Sequence, residues 1–102
     1  MAEKEKRGYL QAPYALSAKV EDVRISVLAH KILFKWQTNK RTKDGYVAIK
    51  DDELANTIYV TVRTISKFVD KLEEIDFLKT KRGRGAKYYK INTAVAKKYF
   101  KV

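Results

Sequence analysis

Cysteine is absent from the 102-residue chain. Its absence removes disulfides, thiolate zinc sites and cysteine nucleophiles together, and it suits an intracellular setting. Histidine occurs once, as His30, so most metal and acid–base chemistries lack their usual ligand or base. No apolar run approaches the roughly 18 residues of a membrane span, because Lys31 and Lys35 break up the one long candidate. The opening residues Met1-Ala2-Glu3-Lys4-Glu5-Lys6-Arg7 are charged with no apolar segment behind them, so a secretory leader is not expected. These absences lead to the expectation of a cytoplasmic protein with no membrane partner, no cofactor and no enzymatic activity.

Acid is the other scarcity, and it is local. The chain has 23 Lys+Arg against 12 Asp+Glu, a net charge of +11. Residues 21–76 balance at ten of each sign, whereas residues 77–102 hold nine basic residues and no acid. Such one-sided charge marks a polyanion partner, usually nucleic acid. At 45% hydrophobic and 34% charged, the chain can bury a core, and its length suits one domain.

Residues 1–16 read as an arm, interrupted by Gly8 and Pro13 and without a period. Residues 17–102 read as the single domain. Ile25, Leu28, Ala29, Ile32, Leu33 and Trp36 recur at helical spacing, one face of a long helix. Val20, Val23, Val27 and Phe34 lie off that stripe, so the helix has a second apolar side that needs a second partner. His30 lies near this second side and reads as a packing or solvent residue. Asp44-Gly45 is a turn dipeptide, and Tyr46–Ile49 reads as a short strand. Asp51, Asp52 and Glu53 suit the first turn of a second helix ending near Thr57. Thr61 can cap a third, with Ile65, Phe68, Val69 and Leu72 as its apolar face. Strands at Phe77–Lys81 and Lys87–Ile91 flank Arg82-Gly83-Arg84-Gly85-Ala86, with Tyr89 and Ile91 expected inward. Asn92 can cap a last helix over Thr93–Lys101.

The segment "VAIKDDELANTIYVTVRTISKFVDKLEEIDFLKTKRGRGAKYYKI" resembles the winged helix-turn-helix domains of plasmid and phage DNA-binding proteins. The features that carry the resemblance are Leu54-Ala55, Val60-Thr61, Arg63-Thr64-Ile65, and Leu72-Glu73 followed by Phe77-Leu78. It covers about residues 22–91. It implies an α+β, mostly α fold: a winged helix-turn-helix, here with an N-terminal arm and an extra C-terminal helix from about residue 93. Small size, abundant lysine and absent cysteine also resemble proteins of archaeal plasmids and viruses, including winged-helix centromere binders of partition cassettes. The family usually has glycine where this chain has Tyr59 and Asp76, positions that take positive φ, so a longer turn is expected here. Lys50 stands where the family usually has a capping Ser or Thr, which leaves Asp51 as the alternative cap one residue on.

In that arrangement the third helix enters the major groove, with its N-terminal residues nearest the base edges. The candidates are Thr61, Val62, Arg63, Ser66 and Lys67. Arg63 can pair with guanine in bidentate fashion, Val62 can meet a thymine methyl, and Thr61 can serve as a plain helix cap. The wing candidates are Lys79, Lys81, Arg82, Gly83, Arg84 and Lys87. Its arginines suit a narrow minor groove, and its lysines suit phosphates. Homodimerisation is expected through Val20, Val23, Val27, Phe34, Val95, Tyr99 and Phe100. Double-stranded DNA is the expected partner, with a further partition protein as a possible second. Three roles stay open: a stand-alone site binder (centromere-binding or autoregulating), the DNA-binding domain of a replication initiator, and a basic RNA-binding protein.

Overall fold

A computed structural model describes residues 22–83 and 86–100. The element order is α1 (Val23–Thr38), β1 (Val47–Ile49), α2 (Asp51–Ile58), α3 (Val62–Glu74), β2 (Leu78–Arg82), β3 (Lys87–Ile91) and the single-turn α4 (Thr93–Ala96). The fold is α+β and mostly helical, with one antiparallel sheet in the order β1-β3-β2. The expected arm at residues 1–16, together with Val20, Arg84, Gly85 and Lys101, lies outside the described residues.

The 3.6-residue period of α1 is realised side chain by side chain. Ile25, Leu28, Ala29, Ile32, Leu33 and Trp36 are all buried. Asp22 caps the helix by accepting from the Arg24 backbone N–H at 2.8 Å. The Arg24 guanidinium bonds the same carboxylate and holds it below its ordinary pKa. From α3, Ile65, Phe68, Val69 and Leu72 meet this face. Val47, Ile49, Leu78, Tyr89 and Ile91 close the core from one side of the sheet. Beyond Trp36, the indole N–H donates to the Gly45 carbonyl at 2.7 Å, which ties the loop to the helix; Gly45 takes φ +86° there.

Both helices of the α2–α3 pair end in the same way. Val60 N–H reaches back to the Ala55 carbonyl at 3.0 Å, and Phe77 N–H to the Leu72 carbonyl at 3.0 Å. Each bond spans a residue in the left-handed region, Tyr59 at φ 58° and Asp76 at φ 60°. This is the closing motif that glycine usually occupies. The expected longer turn therefore does not form. Residues 59–61 suffice, because backbone bonding and the inward turn of the following side chain outweigh the left-handed penalty of about 1–2 kcal/mol.

Other boundaries differ as well. The N-cap of α2 is Lys50, which makes no side-chain capping bond, and Asp51 is the first helical residue, not the cap. Strand β1 excludes Tyr46. Strand β2 begins at Leu78, because Phe77 is engaged in closing α3. The last helix stops at Ala96 instead of Lys101. Beyond it the bonds Lys98 N–H to Val95 O and Tyr99 N–H to Ala96 O tighten the chain. This brings Phe100 onto Phe77, with ring centroids 5.9 Å apart.

Tyr59 is 92% exposed, so its strain is not offset by packing. Tyr59→Gly should relieve up to about 1 kcal/mol and raise Tm by several degrees, roughly 4–8 °C per kcal/mol in a domain of this size. Thermal unfolding measures it, and a lowered Tm contradicts the strain argument.

Candidate nucleic-acid interface

Helix α3 sorts its residues by angle. With Ile65, Phe68, Val69 and Leu72 inward, the opposite row is Arg63, Lys67, Asp70 and Glu74. Its first half is cationic and its second half acidic, and Glu74 pairs with Lys71 at 3.5 Å. The charge of this row changes sign after its first two turns. Thr61 is the cap: its hydroxyl oxygen accepts from the Thr64 N–H at 3.2 Å and lies 3.0 Å from the Thr64 hydroxyl. Val62 is 45% exposed although apolar.

Val62 and Ser66, one turn apart, face the hairpin. Between them lies an open cleft of about 760 Å³ lined by Lys50, Asp51, Asp52, Val62, Ser66, Arg82, Gly83, Ala86 and Lys87. The cleft brings together residues that are distant in sequence: the start of α2, the start of α3 and the distal end of the hairpin. Thr61, Arg63 and Lys67 are exposed beside it on the outer side of α3.

Strand alternation divides the hairpin lysines, which look alike in sequence, between two faces. The register pairs Leu78 with Ile91, Thr80 with Tyr89 and Arg82 with Lys87 on the face toward the helices. It pairs Lys79 with Lys90 and Lys81 with Tyr88 on the other face. Arg82 and Lys87 therefore join the cleft, with Gly83 beyond the strand end also lining it, whereas Lys79 and Lys81 point away from it. On that outer face the Lys81 ammonium lies 4.4 Å from the Tyr46 ring centroid and 6.0 Å from that of Tyr88. The Lys90 ammonium lies 5.8 Å from Tyr46. Lys81 also meets Asp44 at 3.5 Å. Gly83 belongs to both faces, since a Cβ there would run into the Tyr88 ring.

The expected dimer surface also divides. Val23, Val27 and Phe34 form an exposed apolar stripe on α1, with Phe34 58% exposed. Phe100 is instead buried in its own domain, against Phe77 and stacked on His30 at 5.3 Å, and Val95 and Tyr99 pack partly on the same core. Those three side chains are engaged within the chain.

The sequence reading did not select Lys50, Asp51 and Asp52 as cleft residues. Asp51 and Asp52 signal an acidic first turn and Lys50 and Asp51 a cap position, and each has a sufficient local explanation at a helix start. Beneath the cleft, Asp51 Oδ1 and the Tyr89 hydroxyl are buried, and neither has a hydrogen-bond partner among the described residues. Burial pushes the Tyr89 phenol well above its usual pKa, and the Asp51 and Glu73 carboxylates push it further. Among the described residues no group of three His, Cys, Asp or Glu is placed to hold a metal ion, and no helix is long and apolar enough to cross a membrane.

Comparison with protein-family models, with curated proteins and with solved structures finds no match to this chain.

Because the fold favours the neutral phenol, the Tyr89 contribution is fully present below about pH 10, the ordinary tyrosine value, and is lost as pH rises above it. Tyr89→Phe should flatten the alkaline fall of stability in denaturant titrations run across that range. Parallel curves for parent and variant contradict the assignment.

Proposed function

We propose that the protein is a winged helix-turn-helix binder of double-stranded DNA, in which α2 and α3 form the helix-turn-helix and the β2–β3 hairpin is the wing. The observation that carries this reading is the shared cleft, which sets Val62 and Ser66 of α3 beside Arg82, Gly83 and Lys87 of the hairpin. Around it, the cationic half of α3 is the half a recognition helix presents to base edges. Arg63 reads guanine in bidentate fashion, and Val62 meets a thymine methyl. Ser66 and Lys67 make base or phosphate contacts, and Arg82 and Lys87 bind along the groove edge. The acidic second half of α3 keeps the duplex at the N-terminal end.

In this reading the exposed Val23, Val27 and Phe34 stripe is offered to a second copy of the chain, since helix-turn-helix proteins commonly bind two half-sites as dimers. The protein acts as a stand-alone site binder of a plasmid or virus, at a centromere or at its own operator. A footprint distinguishes the two, because repeated or spreading protection marks a centromere and one block marks an operator. A partition protein is the further partner that the centromere role implies.

The test is titration of a duplex selected from a random pool, and of its scrambled counterpart, at several salt concentrations. Log affinity should fall linearly with log salt by about 0.9 for each phosphate contact. Arg63→Ala should cost about 1–3 kcal/mol on the selected duplex and little on the scrambled one. Arg82→Ala with Lys87→Ala should weaken both alike and lower the salt slope by up to about 2. A slope near zero, or equal losses on both duplexes for Arg63→Ala, contradicts the reading.

A further inference from the structure

We propose that the outer face of the sheet is a second binding surface, which takes the phosphate backbone of a DNA duplex other than the one seated at α3. The surface consists of Lys79, Lys81 and Lys90 arrayed with Tyr46 and Tyr88. Register places these lysines on the side of the sheet opposite Arg82 and Lys87. A straight duplex lying along the cleft between α3 and the hairpin therefore does not reach them. The proposal goes beyond the assignment of α3 as the reading helix and does not require it.

The arrangement favours phosphate over bases. Single-stranded nucleic acid binds by stacking its bases on free aromatic faces. Here the face of Tyr46 is covered by two ammonium groups, at 4.4 and 5.8 Å from its centroid, and Tyr88 has Lys81 over it at 6.0 Å. The rings hold the Lys81 and Lys90 heads in place, so these two cations are presented with part of their ordering cost already met. The pair Lys79 and Lys90, directly opposite across the strands, sets two like charges side by side. That is unfavourable in the free protein and is relieved when an anion sits between them. Among the described residues, Asp44 is the acid that meets this surface. It is an exposed partner of Lys81 at 3.5 Å, an ion pair of the kind that water and salt largely screen and that a phosphate can displace.

Backbone amide NMR with a short random-sequence duplex of about one helical turn, at low salt, tests the proposal. Amides of 61–67, 82, 83, 86 and 87 should shift with the first equivalent per protomer. Amides of 46, 79, 81, 88 and 90 should shift separately, with a second and weaker equivalent. The combined variant Lys79→Gln, Lys81→Gln, Lys90→Gln should weaken only the second event, by roughly tenfold or more. Asp44→Asn should strengthen it. Stationary sheet amides, or both sets moving together with one equivalent, overturn the second surface. So does a triple variant that titrates like the parent. If the sheet amides move while those of α3 stay still, the second surface stands and the reading of α3 falls. If neither set moves, both fall.

Discussion

Period-two alternation along β3 is the constraint on which the rest of the molecule depends. The strand is central, paired to β1 on one side and β2 on the other, so its register orients every residue of the hairpin. Tyr89 and Ile91 must face the helices to complete the core, and Lys87 follows them to that side at the exposed end. Tyr88 and Lys90 are thereby sent outward. A single-residue slip would bury lysine and expose Tyr89. The core therefore fixes the register, and the register divides the basic residues between two faces.

The other requirement is the geometry of the α2–α3 pair. Its two ends are held by backbone bonds that cross a left-handed residue, and in both the following side chain turns inward, Val60 partly and Phe77 completely. Buried Ile65 and Leu72 then anchor α3 against α1 at zero exposure. Its outer row is left free, and that row is cationic only where Arg63 and Lys67 stand. Local closure, core packing and charge thus place the same short stretch of helix at the surface beside Arg82 and Lys87.

Much of this was legible in the residues themselves. The buried rows of α1 and α3, the inward pair Tyr89 and Ile91, and the extent of β3 follow from periodicity alone, because each has one apolar face and a clear spacing. The ends of the elements did not follow. Tyr59 and Asp76 invite a longer turn on steric grounds, and only the backbone bonds around them show that the strain is tolerated. Phe100 reads as a surface group on a regular helix until the tightening after Ala96 brings it onto Phe77. The lysines of β2 look alike in sequence, and their separation into two faces depends on a register that glycines near the hairpin tip leave undetermined. Lys50, Asp51 and Asp52 entered the cleft through tertiary placement, for which no local pattern exists.

The central claim is that the start of α3 lies against bases. Intermolecular NOEs between isotope-labelled protein and a pool-selected duplex measure this directly. The account predicts NOEs from the Val62 methyls and the Arg63 side chain to base protons. NOEs confined to α1 or α4, or none from residues 61–67 on a duplex that is demonstrably bound, would contradict it.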